Sequence, residues 1–447
     1  KFRELYKQVI DLCVNAELER GTLKTPYTSM VRRLAEIYGA DIFVKAIVKL
    51  RGLTLVRSNC EYWFGDEKDD MISKILKTVR PAETDTVQTL SALIDEYKVT
   101  DDELVRAAVY NLNLLNLVSE KLNIPGFKSA VLYFAAHLNE SLNESRIEKI
   151  KEYSTIDYHD FKDGAFDFDW YADMIKTVPE REFKRIYDNA KYITVAGLHK
   201  RAQRFFDALN GKITADEAKA QILKSRNKDF CLIYSLIPLK DEADLIERYK
   251  FFADFLKTSK KFGSQRQLSE RRTVDIAFDN LARNAGYADS SVFIYEMESR
   301  DRRVIDMYDG MDINGYTLKL DCRDDKVKLI VTDSSGKKLS SVPAAISKTE
   351  QAIEIAEYKK SEEAKRKRLK RSLEEAMENQ TPFTATQIQN ITEQPLIRSF
   401  FERLILTDGT HAFILSDGKI TDIVSGEQAT AQTFTIAHPV TLKNNGT

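Results

Sequence analysis

The feature that most constrains this chain is a change of period. From Phe2 to about Ser299 apolar residues recur at helical spacing, whereas after Arg303 they alternate at period two. Such a pattern builds a helical array first and an α+β region second. Only nine prolines occur in 447 residues, so little interrupts the helices. Apolar residues at 43% and charged residues at 31% place the chain among globular proteins, and no run approaches the roughly 20 apolar residues of a membrane span.

Local signals divide the array. Thr100 and Glu103 form a capping box ahead of the stripe Leu104, Ala108, Leu112, Leu115, Val118 and Leu122, which predicts one helix. Thr214 and Glu217 box the start of another, and Leu245, Tyr249, Phe252 and Leu256 repeat the stripe. Helices of this length joined by short links stack in pairs, a helical-repeat-like array that is HEAT-like by architectural analogy, without a fixed repeat period. The aromatic and acidic stretch Tyr153 to Trp170 marks an internal boundary, giving helical regions 1–152 and 153–302.

The region 303–447 reads as α+β. Tyr316, Leu318, Leu320 and Cys322 alternate, Arg323 to Asp325 turn, and Val327, Leu329 and Val331 alternate back, predicting a β-hairpin. Ser347 to Met377 predicts a long charged helix whose middle lacks an apolar face. Thr384 and Gln387 cap a short helix, and strands follow around Leu404 to Leu406, Phe413 to Leu415 and Ile420 to Val424. Phe434, Ile436, Val440 and Leu442 still read as strand where the chain stops, and it opens without methionine, so it reads as a fragment of a larger parent.

The charge balance of -1 gives no whole-molecule attraction to nucleic acid or membrane, so such a partner requires a local patch. Four scattered cysteines (Cys13, Cys60, Cys231 and Cys322) and no targeting segment point to a reducing, cytoplasmic compartment. His137, His159, His199, His411 and His438 stand apart, no phosphate loop, nucleophile elbow or zinc-helix motif occurs, and neither metal nor cofactor is implied. The carboxylates Asp157, Asp160, Asp163, Asp167 and Asp169 break the order of a calcium loop, so they read as a solvated loop anchored by Phe161, Phe166, Phe168 and Trp170.

Two basic segments are candidate anion sites: His199, Lys200 and Arg201, and Lys260, Lys261 and Arg266. Glycine before a helix start exposes free N–H groups, and arginine adds paired donors. The competing reading is that Arg266 and Arg201 lock helices by pairing with Glu270 or Asp207. On the long helix, Lys365, Arg366, Lys367, Arg368, Lys370 and Arg371 are candidate nucleic-acid contacts, against which a solvated bridging helix explains the same residues.

The segments AELERGTLKT (16–25), IPGFKSAVLYFAAH (124–137), AGLHKRAQRFFDALNGKI (196–213), RYKFFADFLKTSKKFGSQRQLSE (248–270), GKKLSSVP (336–343), KRKRLKRSLEEAM (365–377) and FTIAHPV (434–440) carry a resemblance. They resemble an uncharacterised, mainly bacterial family related to the molybdate-metabolism-regulator-like proteins, whose members often carry a WGR domain. That resemblance implies a long helical region followed by a domain of unknown function, and it brings no catalytic residues. No WGR tripeptide occurs here. Three functions follow in order: an interaction scaffold presenting a helical surface to a protein partner or further domains, a nucleic-acid-associated regulator, and a module of an enzyme whose site lies partly outside this chain or in a cleft between helices, with His199, Arg201, Arg266 and Glu270 as its polar constellation.

Overall fold

The computed structural model describes residues 2–57, 65–195, 197–287, 290–300, 302–322 and 326–438, apart from the side chains of 2–4, 6, 302–305, 361, 364 and 368. Two compact units make up the chain, Lys1–Ala285 and Gly286–Thr447.

The first unit is helical, running from the helix Phe2–Glu19 to the helix Ser264–Asn284. Its one sheet among the described residues is a parallel pair, β1 (Ile37–Tyr38) with β2 (Val79–Arg80). The boxes at Thr100 and Thr214 cap their helices as the sequence predicts, each hydroxyl accepting from the N3 amide while Glu103 or Glu217 reaches back. The stripe after Thr100 is not one helix. It breaks into Asp101–Tyr110 and Leu115–Leu122, because Asn111 turns its side-chain amide onto the carbonyls of Leu76 (2.8 Å) and Val79 (2.6 Å) and takes the Asn113 N–H on its own oxygen (3.0 Å). The expected boundary at Tyr153 lies inside this unit, where Phe161, Phe166 and Trp170 are buried.

The second unit opens with helices Ser290–Ser299 and Arg302–Asp309, ahead of the expected start at 303. An antiparallel meander follows: β3 (Met311–Ile313), β4 (Tyr316–Asp321), β5 (Lys328–Thr332) and β6 (Lys338–Leu339). Leu318 faces Val331 across the predicted hairpin, whose turn at Arg323 to Asp325 lies outside the described residues. The long helix spans Glu350–Glu378. Beyond it, β7 (Phe383–Thr384), β8 (Leu406–Thr407), β9 (Ala412–Ser416), β10 (Lys419–Asp422) and β11 (Thr433–Ile436) pair in the order β10-β9-β8-β11-β7. Val440 and Leu442, also read as strand, lie outside the described residues. Alternation sends Phe413, Leu415, Phe434 and Ile436 into a core with Leu369, Ile388, Ile397 and Phe401.

Candidate functional site

Helix C-termini leave carbonyls without partners, and in the first unit basic side chains supply the missing donors. Arg201, a candidate anion ligand, is buried with Nε on the His137 carbonyl (3.0 Å) and Nη2 on those of Leu138 (3.0 Å) and Phe161 (3.1 Å). His137 caps the helix Phe127–Ala136, so Arg201 closes that end instead of meeting an anion or Asp207. Asp207 pairs with the Tyr187 hydroxyl (2.8 Å) and Lys212 (3.3 Å).

The same device recurs at three more helix ends. Arg248, fully buried, donates to the carbonyls of Tyr234, Ile237 and Pro238 at the end of the helix Lys228–Leu236 and forms a two-point pair with Asp244 at 2.9 and 2.6 Å. Lys74 donates to the carbonyl of Leu34 (2.5 Å), and Lys77 to that of Tyr110 (2.8 Å). The sequence signals none of these contacts, because the carbonyls that receive them belong to other helices.

Arg266 follows the competing reading. Its Nε donates to Glu270 at 2.9 Å and its guanidinium stacks on Phe262 at 3.8 Å. Arg226 grips both oxygens of the same carboxylate at 3.0 and 2.6 Å, and burial, which alone would raise the Glu270 pKa, is outweighed by these donors, which hold it at about 2. Lys260 and Lys261 are exposed at the far end of the helix Glu242–Ser259. Arg201 and the Arg266–Glu270 pair thus belong to separate networks, so the supposed enzyme constellation does not converge through them. The acidic stretch stays at the surface but is committed within the fold: Asp157 and Asp167 cap helices, and Arg272 bonds Asp160 and Asp163 at 2.7 Å each. No cluster of metal-ligating residues occurs among the described residues.

The long helix corrects a second expectation. Ala352, Ile355, Glu362, Lys365, Leu369, Leu373 and Ala376 form one buried stripe, so the middle lacks apolar residues and is buried nevertheless. Lys365, expected to contact nucleic acid, lies in the core, ion-paired to Glu298 and 3.6 Å from Glu362. Glu362 also accepts from the Tyr308 hydroxyl (2.5 Å) and the Gln394 amide (2.9 Å). Burial pulls the Lys365 pKa down, the two carboxylates push it up, and the carboxylates win; for the Tyr308 phenol, burial and Glu362 both push upward. Of the other candidates, Arg366 is half-buried, Lys367 is exposed, and Lys370 and Arg371 pair along the exposed face with Glu374 (3.9 Å) and Glu375 (2.8 Å). The Arg368 side chain lies outside the described residues.

His199 and Lys200 open the helix His199–Leu209, His199 buried and Lys200 exposed. Burial first, then the nearby charges of Arg57, Lys200 and Lys191, lower the His199 pKa and favour the neutral ring. Elsewhere in this unit a cleft of 780 Å³ opens beside β1 and β2, between Ile10 and Asp11 of the first helix and Arg33, Tyr38, Pro81 and Glu83. Its lining mixes both charges with apolar side chains and aligns no nucleophile with a base.

These features define a helical array carrying internal cationic clamps, followed by an α+β unit with a polar core. The chain belongs to a family of unknown function (DUF5724), whose model matches residues 1–297. A model described as a domain of unknown function (DUF4132) matches residues 336–447. No curated protein matches the chain. No solved structure matches it. Among the described residues no helix is long and apolar enough to cross a membrane.

Proposed function

We propose that this protein is a non-catalytic interaction scaffold of the cytoplasm, related to the molybdate-metabolism-regulator-like, WGR-associated proteins, and that its helical surface docks a protein partner. The observation that carries the reading is the first helix, Phe2–Glu19. Its inner side buries Cys13, Val14 and Leu18, while Leu5, Val9 and Leu12 on the opposite side are 59%, 47% and 62% exposed. A helix apolar on two faces belongs to a buried position. Leu5, Val9 and Leu12 stand at i, i+4 and i+7, the ridge against which an amphipathic helix packs. The proposed occupant is therefore an amphipathic helix of a partner protein.

Support for the nucleic-acid reading is narrower than the sequence implied, since Lys365 is in the core and Lys370 and Arg371 have carboxylate neighbours. The docking reading is tested with a photo-crosslinking amino acid at the exposed Gln8, in the wild-type background and with Leu5→Ser and Leu12→Ser. A discrete cross-linked partner that is lost in the double variant, with its helicity unchanged, is the expected result. Cross-linking indifferent to the serine substitutions, or none at all, overturns the reading.

A further inference from the structure

We propose that the cavity lined by Arg51, Arg106 and Tyr192 binds a small monocarboxylate with a compact apolar body, of benzoate size, and that Arg106 receives the carboxylate. The site is separate from the docking face on the first helix, and neither proposal depends on the other.

The cavity has a volume of 240 Å³. Ile47, Leu76 and Ala107 form its buried side, and the half-buried Leu50, Leu53 and Leu55 continue the apolar lining. The segment carrying Leu53 and Leu55 is tied down, because the Thr54 N–H donates to Asp69 and the Val56 N–H to the Ser73 hydroxyl, each at 2.9 Å. The apolar part of the site is thus formed before a ligand arrives, which lowers the cost of binding. A dry cavity of about 150 Å³ holds a benzene ring, so this one holds a ring with a carboxylate attached.

The charged lining sets the charge of the ligand. Arg51 and Glu103 cancel each other: Nε and Nη2 of Arg51 reach the two Glu103 oxygens at 2.7 and 3.0 Å, and Nη2 also donates to the Lys98 carbonyl at 2.8 Å. Glu103 takes two further donors from Thr100, the N–H at 2.8 Å and the hydroxyl at 3.0 Å. Arg106 is left over. Asp102 and Glu103 stand one helical turn before it, at ion-pair spacing, but Asp102 is taken by Arg185 at 2.7 Å and Glu103 by Arg51. Arg106 is exposed and pairs with no carboxylate among the described residues. A guanidinium in water needs no such partner, but one beside an apolar cavity offers paired donors to a carboxylate whose hydrocarbon part is buried there. One uncompensated cation matches one negative charge. The half-buried Tyr192, whose hydroxyl has no hydrogen-bond partner among the described residues, adds a donor for the ligand.

The test follows the fluorine signal of para-fluorobenzoate titrated with the full chain at constant ionic strength. The expected result is saturable broadening that unlabelled benzoate reverses, weakened at least tenfold by Arg106→Ala and only partly by Arg106→Lys, which keeps the charge without the paired donors. Arg106 is exposed on its helix and alanine is a strong helix former, so circular dichroism should show both variants folded. The neutral analogue para-fluorobenzyl alcohol should bind the wild type at least tenfold more weakly. Equal binding of the alcohol overturns the proposal, because the cavity would then select only apolar bulk. Displacement by acetate as effective as by benzoate also overturns it, since charge alone would then suffice. Binding undiminished in Arg106→Ala, or no saturable binding by the wild type, does the same.

Discussion

Arg201, Lys74 and Arg248 in one unit and Lys365 in the other are buried by different devices, although the first unit also holds a buried ion pair, Arg20 with Glu17 at 2.9 Å. In Lys1–Ala285, Arg201 and Lys74 sit at helix ends and meet carbonyl oxygens, and Arg248 meets three carbonyls together with Asp244. In Gly286–Thr447, Lys365 sits in the middle of a 29-residue helix and meets the carboxylates Glu298 and Glu362. The difference follows from where helical carbonyls are free. A C-terminus offers unbonded carbonyls at the negative end of the dipole, so a cation there is satisfied with little or no second charge. At mid-helix every carbonyl is already bonded along the helix, so a buried cation requires acids brought by other elements.

The largest expected effect breaks the first kind of clamp. Arg248→Met removes donors from three carbonyls and strips Asp244 of its guanidinium partner, with an expected loss of about 3–5 kcal/mol in urea unfolding. Both tryptophans precede residue 286 in the sequence, and Trp170 is buried in the first unit, so tryptophan fluorescence follows that unit. A loss under about 1 kcal/mol would show that the carbonyls find other donors.

A smaller effect sharpens the comparison through pH. His137 is fully buried among aromatic rings, its Nδ1 is 2.9 Å from the Tyr133 carbonyl, and burial pushes its pKa down from 6.5 to about 3. Between those values the unfolded chain binds a proton that the folded chain refuses. The stability associated with His137 is therefore complete above pH 6.5 and falls by about 1.4 kcal/mol per pH unit on acidification toward 3. Comparing wild type with His137→Phe at pH 7 and pH 5, the wild type should lose about 2 kcal/mol more. Parallel losses in the two proteins would refute the assignment.

The smallest effect lies on the outer face of the long helix. Lys370→Ala and Arg371→Ala remove exposed pairs with Glu374 and Glu375, and each should change stability by less than about 0.5 kcal/mol, checked by thermal unfolding followed by circular dichroism. A cost above about 2 kcal/mol at either position would place that side chain in the core.

Much of this fold is legible in the sequence because its signals are local. The boxes at Thr100, Thr214 and Thr384 and the alternation of Tyr316 to Cys322 depend on neighbours within a few residues. Asn111 is not legible in that way: Leu112 and Leu115 continue the stripe, and the carbonyls that capture its side chain come from another helix. The partners of the candidate residues are illegible for the same reason. Arg201 and Arg266 look alike in sequence, yet one finds the end of a helix and the other a carboxylate four residues on. Lys365 looks exposed in the sequence because the middle of its helix lacks apolar residues, although its spacing from Leu369 and Glu362 places it on the buried side.

The most direct test of this account is a pair of substitutions two residues apart, Lys365→Met and Lys367→Met, compared by hydrogen exchange of the segment 350–378 in the intact chain. The second unit contains no tryptophan, so exchange reports where fluorescence does not. Buried Lys365 and exposed Lys367 predict a loss of protection equivalent to about 3 kcal/mol or more for the first and under about 0.5 kcal/mol for the second. Equal protection in the two variants would contradict the account and return Lys365 to the surface as a contact residue.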